Sequence, residues 1–111
     1  MAAVSEVHLV IHKGTYFEET FSLSAEDGDV LNLNNTTAVS KLKRHPTAGV
    51  AYTFSTTITV ADSTVKISMP ASTTANLPSG RCVYDLIITS SSGLHSKVVT
   101  GTVIVQESIS V

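Results

Sequence analysis

Leu77-Pro78-Ser79-Gly80-Arg81-Cys82-Val83-Tyr84-Asp85-Leu86-Ile87-Ile88-Thr89 is the longest β-favouring run in the chain and has its clearest start signal. Pro78 and Gly80 stop whatever precedes them, and the residues from Cys82 onward are apolar or β-favouring with Asp85 as the one interruption. The period of two places Cys82, Tyr84, Leu86 and Ile88 on one face and Val83, Asp85, Ile87 and Thr89 on the other. Apolar residues on both faces predict a central strand, with the Cys82 face turned to the core.

Working backward from that strand, Tyr52, Phe54, Thr56, Ile58 and Val60 alternate with Thr53, Ser55, Thr57 and Thr59. A turn at Ala61-Asp62-Ser63 leads to Val65, Ile67 and Met69, so residues 52–69 read as a hairpin closed by Pro70. Ala71 to Asn76 has the length of one helical turn, with Leu77 as a plug into the core. Nearer the start, Val7 to His12 reads as a first strand ending at Lys13-Gly14, and Tyr16 to Ser24 as a second. Glu19 falls between the inward residues Phe17 and Phe21, which suits a sheet edge where an inward charge discourages further pairing. Asp27-Gly28-Asp29 reads as a tight turn into Val30-Leu31-Asn32-Leu33. Thr37 to His45 reads as a strand with a bulge, because Val39 and Leu42 fall on opposite faces of a regular one.

Beyond the central strand, Ser90-Ser91-Ser92-Gly93 predicts an exposed reversal, and Leu94 to Gln106 a long final strand bent or bulged at Gly101. Seven or eight short, mostly antiparallel strands joined by turns predict an all-β sandwich, one domain over 1–111 with an ordered core over about 7–106. The inward set is Leu9, Ile11, Phe21, Leu23, Leu33, Phe54, Ile58, Val65, Ile67, Leu77, Tyr84, Leu86, Ile88 and Val103. Composition agrees: the polar residues are dominated by Ser and Thr, with 14% charged residues and no Trp.

A net charge of -2 lacks the basic excess that phosphate backbones and anionic membranes attract. The start of the chain has neither the basic nor the apolar region of a secretory signal, and no apolar run reaches membrane-spanning length, so synthesis in a cytoplasm is expected. Cys82 is the one cysteine and reads as a buried small hydrophobe.

No group of reactive side chains names a chemistry. His8 and His12 share a strand face but stand roughly 13 Å apart, too far to ligate one ion together. There is no Gly-X-Ser-X-Gly elbow, and Glu18 and Glu19 point to opposite faces. The Asp27-Gly28-Asp29 turn lacks the remaining oxygen ligands of a calcium loop. Asn34-Asn35-Thr36 and Asn35-Thr36-Thr37 match the glycosylation acceptor pattern, which has no meaning without a secretory signal. Lys41, Lys43, Arg44 and His45 form the basic cluster, read as the solvated side of a strand or a contact with an acidic neighbour. Asp85, a carboxylate within a central strand, requires a partner, expected in Arg44 or Lys66. No catalytic, cofactor-binding or metal-binding residue is assigned, and a non-enzymatic role is expected.

The succession Lys13-Gly14-Thr15-Tyr16-Phe17, Val30-Leu31-Asn32-Leu33, Val65-Lys66-Ile67-Ser68-Met69, Leu77-Pro78-Ser79-Gly80-Arg81, Val83-Tyr84-Asp85-Leu86 and Gly101-Thr102-Val103-Ile104-Val105 resembles the immunoglobulin-like domains of tailed-phage structural proteins. The N-terminal domain of the baseplate upper protein and related tail modules carry the same succession, and the resemblance runs from about Val7 to Val105. It implies an immunoglobulin-like β-sandwich and a virion structural role in tail, baseplate or neck. It further implies a trimer or hexamer that contacts other virion proteins, with no cofactor and no family active site to carry over. Such domains often precede a coiled coil or second module, whereas this sequence stops at Ser108-Ile109-Ser110-Val111, so a free-standing version is expected. Tyr84 is then placed to tie its hydroxyl to the preceding turn, as a sandwich corner tyrosine does. The alternative is a capsid decoration protein or a carbohydrate- or receptor-binding adhesin-like module, with Tyr16 and Tyr52 as the candidate aromatic platform.

Overall fold

The period-two patterns do become strands. In the computed structural model, which describes residues 4–24 and 32–110, these are β1 (Ser5–Glu6), β2 (Leu9–His12), β3 (Phe17–Ser22), β4 (Thr37–Lys43), β5 (Ala51–Thr59), β6 (Thr64–Met69), β7 (Gly80–Thr89) and β8 (His95–Gln106), with one helical turn α1 (Ala71–Thr74). The strands form one mixed sheet in the order β1-β8-β7-β4-β5-β6-β3, with β2 following β1 along β8. All pairs are antiparallel except β1 and β2, which run parallel to β8. The turn expected at Asp27-Gly28-Asp29, and Val30 and Leu31 after it, lie outside the described residues. No described helix is long and apolar enough to cross a membrane.

The sheet curls until its distant strands face each other. β5 is where it turns: residues up to Phe54 pair with β4, and residues from Ser55 onward pair with β6. As a result Phe21 of β3 stacks on Tyr84 of β7 with ring centroids 6.5 Å apart, and Phe54 meets the edge of Tyr84 at 6.4 Å. The core lies in that fold, and β7 runs through its middle with Cys82, Tyr84, Leu86 and Ile88 all buried. Leu77 is buried directly after α1.

Three sequence expectations are corrected. β4 is regular, with no shift in its register to either neighbour; Ser40 and Leu42 point inward and Val39 is half exposed. Ser40 is tolerated inside because its hydroxyl donates to the Asp85 carbonyl at 2.7 Å. The bulge belongs instead to β8, where the partner steps from Val99 opposite Leu86 to Lys97 opposite Ile87, leaving Val98 extra and both valines buried. Gly101 sits in regular register with Tyr84. Ile58, expected in the core, is only partly buried, because it lies past Phe54, where β5 has left β4 and pairs with β6. Leu42, Met69, Val98, Val99 and Val105 complete the core.

Candidate functional site

Between β1 and β2 the parallel ladder is interrupted at Val7 and His8. The Val7 N–H still donates to the Thr100 carbonyl at 2.9 Å, but the Val7 carbonyl turns inward and accepts from the Tyr84 hydroxyl at 2.7 Å. The Tyr84 hydroxyl therefore reaches across to the N-terminal strand and not back to its own preceding turn. Burial, and secondarily the Glu19 carboxylate, pushes its acidity well below that of a free phenol. Glu19 shares register with buried Ile67 yet is exposed, since β3 ends the sheet path.

The turned carbonyl leaves a place in the ladder that His8 fills. The Thr102 N–H donates to His8 Nδ1 at 3.2 Å, and the Thr102 hydroxyl lies 2.7 Å from the same nitrogen. A backbone donor at Nδ1 makes that atom an acceptor, so the proton sits on Nε2, which faces Glu6 Oε1 at 3.1 Å. Carboxylate, imidazole and hydroxyl thus stand in the order of a nucleophilic triad. The arrangement is nonetheless exposed on the outer face, and the neighbouring Thr102 N–H is spent on the imidazole and unavailable to an oxyanion. It serves as a strand clamp. Nothing local in the sequence pointed to it, because Thr102 is 94 residues from His8. His12 takes no part, and no described group of three or more His, Cys, Asp or Glu residues is disposed to hold a metal ion.

The outer face of β4, β7 and β8 carries Lys41, Lys43, Arg81, Asp85 and Lys97. Across the strands, register aligns Val39 with Ile87 and Lys97, Lys41 with Asp85 and Thr100, and Lys43 with Val83 and Thr102. Arg81 aligns with Ile104, which aligns in turn with Val10 of β2. A depression of about 380 Å³ lies over this face, bounded by Lys41, Lys43, Lys97, Asp85 and Pro46. Asp85 pairs with Lys97 at 3.6 Å, and not with Arg44 or Lys66. Lys66 instead lies 3.5 Å from Glu18.

The sequence cluster of Lys41, Lys43, Arg44 and His45 is divided by the strand. Lys41 and Lys43 join the depression, whereas the Arg44 guanidinium donates to the Ser79 carbonyl and lies beside Cys82. Burial raises the Cys82 thiol pKa, and Arg44 partly offsets this by its charge and a hydrogen bond. His45 Nδ1 meets Thr47 at 3.1 Å.

A second groove, of about 340 Å³, runs between β1/β2 and β3 and is lined by Val7, Leu9, Glu19 and Phe21 among others. Just past β8, Glu107 accepts from Ser79 and lies 3.4 Å from Lys13; the two contacts hold its carboxyl below the usual range. Of the two candidate platform rings, Tyr16 is exposed and its hydroxyl bonds Glu18, while Tyr52 packs partly against the core.

No protein-family model matches the chain, and no curated protein matches it. Among solved structures, an internalin-like protein of Listeria monocytogenes is similar over 95% of this chain, with 13% sequence identity and a TM-score of 0.47. The match spans 28% of that protein's length.

Proposed function

We propose that the chain is an immunoglobulin-like β-sandwich and a non-enzymatic component of a tailed-phage virion, in tail, baseplate or neck. It would act through self-association and contacts with neighbouring proteins. The order of sequence motifs directs the reading toward phage modules. Sandwich geometry is supported by the change of partner within β5 and by the stacking of Phe21 on Tyr84 across the core.

The observation that carries an assembly role is the pairing map. Among the described residues β3 pairs with β6 alone, and β1 and β2 pair with β8 alone, so both ends of the sheet path present open backbone. Val10 and Ile104, paired in register, are exposed beside one of those edges. Closed ring symmetry places many weak contacts of this kind in parallel.

The test is the solution mass by light scattering across a concentration series. A trimer or hexamer supports a ring-forming component. A monomer at every concentration favours the second reading, a capsid decoration or adhesin-like module that assembles only on its partner. The observation behind that second reading is the lysine-rimmed depression. A glycan version of it is weakened by Tyr52, whose packing against the core removes half of the aromatic platform.

A further inference from the structure

The outer face of β4, β7 and β8 differs in charge from the rest of the chain. Four of the seven lysines and arginines, Lys41, Lys43, Arg81 and Lys97, lie on it, against one of the nine carboxylates, Asp85. Four cations minus one carboxylate leave +3 on this face of a chain whose net charge is -2. Glu6 of β1 shares register with Thr100 and continues the Lys41–Asp85 row, which brings the sum over the four strands to +2. Among the described residues Asp85 ion-pairs with Lys97, while Lys41 and Lys43 have no carboxylate within ion-pair distance.

We infer that this face is a docking surface for an extended, acidic segment of a partner protein. Lys41 and Lys43 are alternate residues of one strand, so their side chains leave the sheet about 7 Å apart. An extended chain with acidic side chains at alternate positions has the same spacing. Val83 lines the depression, and Val39 and Ile87 lie in the next row of the same face, a β-branched surface that suits the alkyl parts of such a segment.

The geometry argues against a compact phosphate. The cations near the depression are lysines, which act as point charges, and the strand backbone beneath is committed to ladder bonds and forms no anion-binding nest. Asp85 at the centre repels a dense polyanion but accepts hydrogen bonds from a peptide's N–H groups. Tyr84 lines the depression, but its ring is buried in the core against Phe21 and offers no face to a base.

The bulge at Val98 assembles the site. Were the strand regular through Val98, alternation back from Val99 would turn Val98 outward and Lys97 to the core side of β8. With the bulge, Lys97 reaches the outer face and meets Asp85.

This inference rests on the interaction-module reading in one respect: the face is taken to make contacts and not to perform chemistry. The experiment titrates the full chain, labelled for amide NMR, with a blocked peptide carrying glutamate at alternate positions between valines and threonines. Controls are the same peptide with lysine for glutamate, inorganic phosphate, and a single-stranded oligonucleotide. Saturable shifts confined to the amides around Lys41, Lys43, Asp85 and Thr100 are expected with the acidic peptide, weakening as salt rises. Lys41→Glu is expected to lower affinity about fivefold with the rest of the spectrum unchanged, the scale of an exposed charge contact. Absence of shifts, or equal shifts with phosphate or with the oligonucleotide, overturns the inference. Failure of the assembly reading would appear separately, as a monomer in light scattering that still binds the peptide.

Discussion

The carbonyl of Val7 points into the space that a side chain on Gly101 would occupy: a Cβ built there would stand 2.0 Å from the oxygen and 2.8 Å from its carbon. Both atoms are backbone and cannot swing aside. The glycine therefore permits the inward turn of Val7, and that turn in turn presents the carbonyl to Tyr84 and opens the ladder position that His8 occupies. Gly101→Ala is expected to cost about 1–3 kcal/mol, the range for overpacking a filled site. Urea unfolding should show the lowered midpoint, and amide exchange should show the loss of protection concentrated in β1 and β2. Protection lost evenly over all strands would contradict this account.

Tyr84 makes a distinct prediction, because its hydroxyl has both a partner and a shifted acidity. Tyr84→Phe keeps the ring contacts with Phe21 and Phe54 and removes the bond to Val7, at an expected cost of about 1 kcal/mol. Burial and Glu19 raise the folded-state pKa above the unfolded value of about 10. The folded state therefore holds its proton where the unfolded state has released it. Stability is fully present below about pH 10 and is lost as pH rises above it toward the folded pKa. Denaturant midpoints measured on either side of pH 10 should fall in the parent chain and fall less in the Phe variant, although other tyrosines and lysines titrate in both.

How far the sequence reveals this arrangement depends on the distance over which each cause acts. The alternation of Cys82, Tyr84, Leu86 and Ile88 is local, and it identifies both the central strand and its buried face. The breaker at Pro70 and the apolar Leu77 are local too, and they locate the helical turn and its plug. By contrast, the partner of Asp85 depends on one inserted residue in β8. Nothing in Ser96-Lys97-Val98-Val99 distinguishes a bulge at Val98 from a bend at Gly101, and a one-residue slip exchanges the two faces. The inward Val7 carbonyl was hidden for a similar reason. It is backbone, and it is chosen by a tyrosine 77 residues away. Parallel pairing of the first strands with the last is likewise a long-range choice, invisible to periodicity.

Thr74 is the hinge between α1 and the turn after β2. Its buried hydroxyl accepts from the Gly14 N–H at 3.1 Å and donates to the Thr15 carbonyl at 2.8 Å. Thr74→Val keeps the shape and strands both backbone groups, at an expected cost of about 1–3 kcal/mol for groups left unsatisfied. Thr74→Ser restores the hydroxyl and should recover most of that loss. Thermal unfolding of the two variants makes the comparison, and equal losses would mean that the methyl packing matters and the hydrogen bonds do not.

Asp85 offers the sharpest contrast between a carboxylate's place in the chain and its place in space. Lying mid-strand beside the core, it reads as a group whose partner must be kept at high cost. In space it faces outward, with 34% of its side chain exposed, and its partner Lys97 is 50% exposed. Water screens such a pair, so Asp85→Asn should change stability by no more than about 1 kcal/mol. The same substitution raises the positive charge of the outer face from +3 to +4, the sum of Lys41, Lys43, Arg81 and Lys97 without their one carboxylate. It frees Lys97 as well. Chemical denaturation and peptide titration of the one variant should therefore separate: near-parent stability together with tighter binding of the acidic peptide. A large loss of stability would show that Asp85 acts as a structural anchor of the sheet, and weaker binding would show that the N–H bonds its carboxylate accepts outweigh the positive charge it cancels.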